Sequence, residues 1–511
     1  MKVFLCFLSF MIGSVLFSQV PNIEWSKCYG GTSYDVAKSI QQTTDGGYIV
    51  TGHAYSTNGD VVNAQQGGNF WVVKLDSAGN IVWQKTLGGN FADFANVVRQ
   101  TLDGGYIVIG NTEDSLASSS NIPDENILIV KLDGLGNVVW QQTYGETGSY
   151  NSDEGNDIKP TADGGYIAVG STASYDTHGA TDFLVLKLDA YGNIMWQKFF
   201  GGSFVDRALS VQQTPDGGYI AAGYTFSSNG DVTGAHGSAD VWVLKLDSGG
   251  NLLWQKTFGG TGDDRASSIQ KTSDGYVVGG FTASHNDGDV LNHHSVLNGG
   301  QQTSDFWILK LDESGNIIWQ NTLGGTSDDQ IKSIFQTSDG GYIACGLTFS
   351  NDADVTANAG LEDVWIVRLN STGILQWQKS MGGSGYDLAF SVQEAQDGSY
   401  VVAGQAMSGS GGAGFHGGQD FWIVKFAPES AMGTGGFEPS NISVYPNPVS
   451  NILSVGLFNV KSITVTNMEG KILETVQNTT QINLSGYARG TYLVIIEQEN
   501  GTRETKKVIK E

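Results

Sequence analysis

Positive charge is scarce in this 511-residue chain. Lys and Arg number 27 against 52 Asp and Glu, a formal net charge of −25 at pH 7. A surface of that sign cannot replace the counterions of a phosphate backbone, so nucleic acid is excluded as a partner. Proline is rare, at 8 residues, beside 71 glycines. That imbalance excludes collagen and proline-rich linker composition, and points to short strands joined by tight turns. Cysteine numbers only 3, too few for a disulfide framework. Cys6 lies in the N-terminal apolar run. Cys28 and Cys345 fall on different strand types of the repeat described below, so no disulfide is expected. Long apolar runs are also scarce. Val3–Phe17, preceded by Lys2 and followed by Ser18-Gln19, has the length and flanks of a secretory signal peptide, placed at residues 1–18. No later run is long enough to span a membrane as a helix, so no transmembrane segment is expected after its removal.

What is abundant is repetition. A turn of the form T-x-D-G-G, first seen as TTDGGYIVTG at Thr43–Gly52, recurs with its Asp at Asp45, Asp103, Asp163, Asp216, Asp274, Asp339 and Asp397. The fifth copy lacks one Gly and the last has Ser399 in place of one. Spacings of 53 to 65 residues are those of solenoids or propellers. Each unit carries four strand signals, here lettered a to d. Strand a leads through the D-G-G turn to strand b. A long polar loop leads to an apolar strand c, as in FWVVKL from Phe70. An L-D-x-x-G-N turn then leads to strand d, which carries one Trp: Trp25, Trp83, Trp140, Trp196, Trp254, Trp319 or Trp377. Four strands per unit predict an all-β, seven-bladed β-propeller over residues 19–427. The array begins with a lone d strand, IEWSKCYGG, and stops after a c strand, FWIVKF from Phe421. The N-terminal strand is therefore expected to close the ring, which removes two open sheet edges. One Trp per blade on the outer strand is expected to pack between blades.

This arrangement puts the a–b and c–d turns on one face and the d–a and b–c loops on the other. The b–c loops vary in length, and variable loops on a rigid scaffold are where binding usually resides. The seven histidines, His53, His178, His236, His285, His293, His294 and His416, all fall in or at the start of b–c loops. The longest such loop, Phe281–Ser304, carries His285, Asp287, Asp289, His293 and His294. With Arg207 and Arg265 of the d–a segments, these are the candidate ligand-binding residues. Acidic Asn/Asp-Gly-Asp loops recur at Asp60, Asp231, Asp289 and Asp354, and short Asx loops can supply oxygen ligands to Ca²⁺. The same residues also make turns. The d–a Asp of every unit (Asp35, Asp93, Asp153, Asp206, Asp264, Asp329, Asp387) is expected to cap backbone N–H groups in its G-G-x-x-x-D loop. No catalytic residue is assigned, because a site needs different groups converging on one substrate.

Two motifs resemble those of known propellers. L-D-x-x-G-N-x-x-W, as in Leu75–Trp83, is similar to a shortened tryptophan-docking motif of quinoprotein-type propellers. The T-x-D-G-G turn (Thr43, Asp45, Gly47) resembles the Asp-box of sialidase-type propellers without its final aromatic. Both motifs are structural in those families and imply fold, not activity.

After a small-residue linker, 428–440, the sequence changes style. Residues 441–511 read as about six short strands, a small Ig-like β-sandwich. Tyr445-Pro446-Asn447-Pro448 is followed by Ile463–Asn467 with Gly470-Lys471, then Leu484-Ser485, Gly490-Thr491-Tyr492-Leu493 and a terminal Lys506-Lys507-Val508-Ile509-Lys510. In order and spacing these resemble the type A C-terminal sorting domain of the type IX secretion system of Bacteroidota; Gly486 stands where a Leu is more usual. The resemblance implies a partner, the type IX machinery, and a route through the periplasm to the cell surface or the medium. For the propeller three readings stand open. One is a binding or scaffolding role toward extracellular glycan or protein. Another is a secreted polysaccharide hydrolase or lyase using the long b–c loops. The third is a structural surface-layer component.

Overall fold

The structure is a computed structural model. It describes residues 19–429 and 443–511 apart from 66, 90, 115–123, 146–151, 174–178, 295–301, 408–411, 457–459, 468–470 and 499–502. The segment expected to be a signal peptide, 1–18, and His178, Gly470 and most of the expected linker lie outside the described residues. The chain divides into two compact units between Glu429 and Ser430. Among the described residues every regular element is a strand.

The first unit holds seven four-stranded antiparallel sheets. Blade 1 consists of Asp35–Gln42, Tyr48–Ala54, Asn69–Leu75 and Ile81–Leu87. Blades 2 to 6 repeat it from Asp93, Asp153, Asp206, Asp264 and Asp329. Blade 7 takes three strands, Leu388–Glu394, Tyr400–Ala406 and Asp420–Phe426, and completes itself with the N-terminal Ile23–Tyr29. That strand pairs antiparallel with Asp420–Phe426, from Ile23 opposite Phe426 to Tyr29 opposite Phe421. The ring is closed by hydrogen bonds between the two ends of the repeat array, as the lone d strand predicted.

Strand c is buried along its whole length in blades 1, 3, 4, 5, 6 and 7, which is why it reads as an unbroken apolar run. Neighbouring blades meet through a repeated aromatic pair. The d-strand Trp of each blade packs against the Tyr that follows D-G-G in the next one. The pairs are Trp83–Tyr106, Trp140–Tyr166, Trp196–Tyr219, Trp254–Tyr276, Trp319–Tyr342 and Trp377–Tyr400, with ring centroids 5.6 to 6.2 Å apart. Trp25 meets Tyr48 at 6.0 Å across the closure, so the joint is built like every other. Cys28 and Cys345 are both free and buried.

The T-x-D-G-G turn is more than a bend. Thr43 donates to Asp45 Oδ1 at 2.5 Å and Gly47 N–H to the same oxygen at 3.0 Å. The Asp then clamps a buried cation from strand c. Lys74, Lys131, Lys187, Lys245, Lys310, Arg368 and Lys425 reach Asp45, Asp103, Asp163, Asp216, Asp274, Asp339 and Asp397 at 2.6 to 3.1 Å. The clamp pins the a–b turn to strand c in all seven blades.

Among the described residues the second unit has seven strands in two sheets, where about six were expected. One contains Ser443–Tyr445, Ile452–Gly456 and Gln481–Asn483; the other contains Ile472–Gln477, Val460–Thr466, Gly490–Gln498 and Arg503–Lys510. Val449, Leu453, Ile463, Val494, Ile496 and Val508 belong to its buried core. The Tyr-Pro-Asn-Pro stretch is tied to the chain's end. Asn447 accepts from Ile509 N–H at 2.8 Å and donates to Lys507 O at 3.0 Å. Lys510 is buried; Lys506 is half-buried and Lys507 exposed. Tyr492 donates to Ala488 O at 2.8 Å.

Candidate functional site: the channel and its mouth

The innermost strand of a blade leaves one row of backbone N–H groups facing the ring axis, and such an edge must be satisfied. Neighbouring blades supply the partners. Ser39, Ser210, Ser333 and Ser391 each accept the N–H of a residue on the adjoining a strand, at 3.2 to 3.4 Å. Gln41, Gln212 and Gln270 do the same through Oε1, accepting from Gln100, Lys271 and Gln336 at 2.7 to 3.0 Å.

Every a strand also carries a register shift against strand b, between Ala37 and Ser39 in blade 1 and at the matching place in the other six. A bulge re-aims the residue it inserts. The seven inserted residues all line one central cavity of about 550 Å³. Two of them are Lys38 and Lys332; the remaining cations of the lining, Arg99 and Lys159, stand three positions further along their strands. Asp157 is the one carboxylate in that lining. It lies 3.0 Å from Lys159 and 3.8 Å from Arg99. Burial, and then repulsion from Lys332, pulls Lys38 down to about 8. Burial, and then Arg99, does the same to Lys159, also to about 8.

The loops divide as expected. Asp60 N–H donates to Gly30 O at 2.8 Å, joining the b–c loop of blade 1 to the d–a segment that enters it, and Asp231, Asp289 and Asp354 repeat the bond to Gly201, Gly259 and Gly324. The carboxylates of Asp60, Asp231, Asp289 and Asp354 accept N–H bonds from those same glycines at 3.2 to 3.3 Å. The four candidate Ca²⁺ residues thus stand in four separate blades, each stapling its own loop pair. Among the described residues no group of three or more His, Cys, Asp or Glu is arranged to hold a metal ion. The d–a Asp caps its loop: Asp35, Asp93, Asp206, Asp264, Asp329 and Asp387 accept the N–H of the second Gly of the pair at 2.7 to 2.8 Å. The first Gly of the pair has a different reason. A Cβ on Gly324 would sit 2.5 Å from Asp305 Oδ1 and 2.6 Å from Asp329 Oδ2.

The blade-five loop converges in part: His293 Nε2 and His294 Nδ1 both approach Asp305 Oδ2, at 3.8 and 3.4 Å, while Asp287 and Asp289 turn to the neighbouring d–a segment. His285 is exposed, with its ring edge-on to His293 at 5.8 Å. His293 is buried and its Nε2 lies 3.0 Å from Thr282 O. Asp287 accepts from Thr261 Oγ1 at 2.5 Å. His294 N–H donates to Asp305 at 2.7 Å, and its ring stands between Asp305 and Asp354. His416 occupies the matching position between Asp420 and Asp60. These histidines bridge blade junctions. His53 is a strand residue, packed edge-on against Phe94, where burial pushes it down to about 3.

Arg207 and Arg265 are brought together. Both line a cavity of about 540 Å³ at the loop-side mouth, with Tyr224, Phe281, Gln302 and Gln330. Arg265 holds Asp263 through two bonds of 2.6 and 2.7 Å and lies over the ring of Tyr224 at 4.5 Å. Arg207 Nη1 donates to both oxygens of Glu154 at 2.7 Å. Planar guanidinium–carboxylate pairs of this kind fix donors and acceptors in place. Lys332 borders both cavities. Residue type alone did not single out Gln302, Gln330, Lys38 or Lys332. For the two lysines the signal in the sequence was position, the third residue after the d–a Asp; Gln330 directly follows that Asp and Gln302 lies in the b–c loop.

The fold and the tail define a secreted β-propeller protein of the type IX route. Residues 443–511 match the model of the Secretion system C-terminal sorting domain, which marks the chain for the type IX machinery and for export through the periplasm to the cell surface or extracellular space. No helix among the described residues is long and apolar enough to cross a membrane. The chain is 25% identical to the regulatory protein FlaEY of Caulobacter vibrioides over 166 residues, 32% of this chain and 17% of that one. Among solved structures it is similar to the extracellular domain of a hybrid two-component system of B. thetaiotaomicron (TM-score 0.39, 12% identity, covering 97% of this chain and 58% of that one). It is also similar to the periplasmic gluconolactonase of Pseudomonas aeruginosa (TM-score 0.41, 13% identity, 69% and 87%). A third similar structure is the alpha-L-arabinanase of Penicillium chrysogenum (TM-score 0.38, 10% identity, 79% and 97%). Likenesses at these scores carry no argument about activity; the blade count rests on the chain's own strand pairing.

Proposed function

We propose that the propeller is an extracellular binding module whose loop-side mouth takes a hydroxyl-rich ligand, a glycan. The observation that carries this reading is the pair of ion-locked arginines, Arg207–Glu154 and Arg265–Asp263, set beside Gln302 and Gln330 around one cavity. Sugar hydroxyls both donate and accept, and they are matched by amides and by charged groups already held in position. Arg207, Arg265, Glu154 and Gln330 stand on inner strands, and a site on rigid strands loses little freedom on binding. The acidic groups Glu154 and Asp263 are engaged by arginine, which favours holding a ligand over transferring a proton to it. A glycan array probed with the mature protein, alongside a hydrolysis screen on the same glycans, tests the reading. Retention of a glycan class without turnover, lost in Arg265→Ala, is the expected result. Release of reducing ends, or a signal indifferent to Arg207→Ala and Arg265→Ala, overturns it.

A further inference from the structure

The channel beneath the mouth carries a charge pattern opposite to that of the chain. Across the whole sequence acids outnumber bases by almost two to one. In the channel lining four cations face one carboxylate. Enclosing a cation costs desolvation that only a full set of partners recovers, and Arg99 draws on Ser39 Oγ and Val98 O as well as Asp157. Asp157 does not recover it for all four. One of its oxygens meets Lys159 and Arg99, and the other accepts Val211 N–H at 3.1 Å. Lys332 donates to an amide, Gln330 Oε1, at 3.0 Å, and the one carboxylate acting on it, Glu362, stands outside the channel lining. Lys38 has no carboxylate partner among the described residues; its ammonium lies 3.6 Å over the ring of Phe390.

The arrangement has two levels. Lys38 and Lys332 are bulge residues, from blades 1 and 6. Arg99 and Lys159 stand three residues on from the bulges of blades 2 and 3. The neutral lining points the same way. Gln41, Gln212 and Gln270 spend their oxygens on the backbone of neighbouring strands. That leaves their NH₂ groups as the donors on the channel wall. Cations at two depths, with amide donors at the level of Arg99 and Lys159, match a ligand with negative charge at two ends.

We propose that the propeller channel is a binding site for a small oxyanion bearing two or more carboxylate or phosphate charges, held by Lys38 and Lys332 at one level and by Arg99 and Lys159 at the other. The cavity, about 550 Å³, is of the size that encloses a small molecule. The site shares Lys332 with the mouth but does not rest on the glycan reading, and either can fail without the other.

Isothermal titration of the mature full chain with citrate and with pyrophosphate, at constant ionic strength set by chloride, tests the proposal. One-to-one binding of at least one of them is expected, with acetate at least tenfold weaker. The citrate and pyrophosphate arms separate carboxylate from phosphate as the preferred group. Lys38→Gln and Lys332→Gln should each weaken the bound anion at least tenfold, and Lys38→Gln should melt no lower than the native protein, since it removes a buried charge that Lys332 repels. Lys38→Arg should retain binding, and Lys85→Gln on the outer strand of blade 1 should leave it unchanged. No binding of either probe, acetate binding as tight as theirs, or equal binding by Lys38→Gln and the native chain would overturn the proposal.

Discussion

The clamp between Lys245 and Asp216 makes an asymmetric prediction. Lys245 is buried, with 7% of its side chain exposed, while Asp216 is 58% exposed. Their separation is 2.9 Å. Replacing Lys245 by Met leaves a carboxylate that water can solvate, so the loss is that of a surface-type pair, about 1 kcal/mol or less. Replacing Asp216 by Asn keeps an acceptor for Thr214 and Gly218 but strands an ammonium in the interior. A fully stranded buried charge costs about 3–5 kcal/mol. Lys245 keeps two partners, Thr214 Oγ1 at 2.8 Å and Leu246 O at 3.3 Å, which brings the expected loss to about 2–3 kcal/mol. An unfolding entropy of about 2.1 cal/mol/K per residue over roughly 400 residues makes 1 kcal/mol worth about 1.2 °C. Asp216→Asn should therefore lower Tm by about 3 °C and Lys245→Met by about 1 °C, read by tryptophan fluorescence or calorimetry of the mature protein. The double variant should melt close to Lys245→Met, because the stranded charge is gone. If Lys245→Met falls as far as Asp216→Asn, the clamp is not limited by the buried cation and the reasoning fails.

Three further outcomes follow from the fold. Removing residues 19–30 opens the Asp420–Phe426 edge, and size-exclusion chromatography should show association or aggregation in place of a monomer; a monodisperse monomer would contradict closure by the first strand. Gly324→Ala forces a methyl onto Asp305 and Asp329 and should cost about 1–3 kcal/mol in denaturant unfolding, whereas an unchanged midpoint would show that the junction can open. Burial pushes Asp240 and Asp420 up to about 6 and Asp329 up to about 7. Raised folded values mean that the folded state binds protons the unfolded chain does not, so these three carboxyls add stability as pH falls through 7 toward 4, and they outweigh His53, whose value of about 3 subtracts stability below about 6.5. Below that, Asp216, held at about 2 by Thr214 and then Lys245, begins to lose its contribution. A Tm that rises from pH 8 to pH 5 is expected, and a flat or falling profile would oppose it.

Much of the fold was legible because the repeat puts each role at a fixed position. The Trp of W-Q-K and the Tyr of D-G-G-Y were visible as periodic aromatics, and their distance across the blade joint follows once the blades are stacked. The lone IEWSKCY strand announced the closure. The clamp was half legible: Asp45 stood out in its turn, but its partner Lys74 looked like any Lys ending an apolar strand. The acidic loops were read as metal candidates because a sequence lists ligand types without their partners. Asp60 is engaged by Gly30, thirty residues before it. The channel was hidden for a topological reason. Lys38, Arg99, Lys159 and Lys332 lie in four repeats, at bulge-dependent positions, and only ring closure gathers them. Arg207 and Arg265 were found because few arginines compete with them.

The measurement that bears most directly on the account is a structure of the exported protein bound to the glycan it retains from an array. The account predicts the sugar at the loop-side mouth, with its hydroxyls on Arg207, Arg265, Gln302 and Gln330. A sugar seated on the opposite face, among the T-x-D-G-G and L-D-x-x-G-N turns, would contradict it.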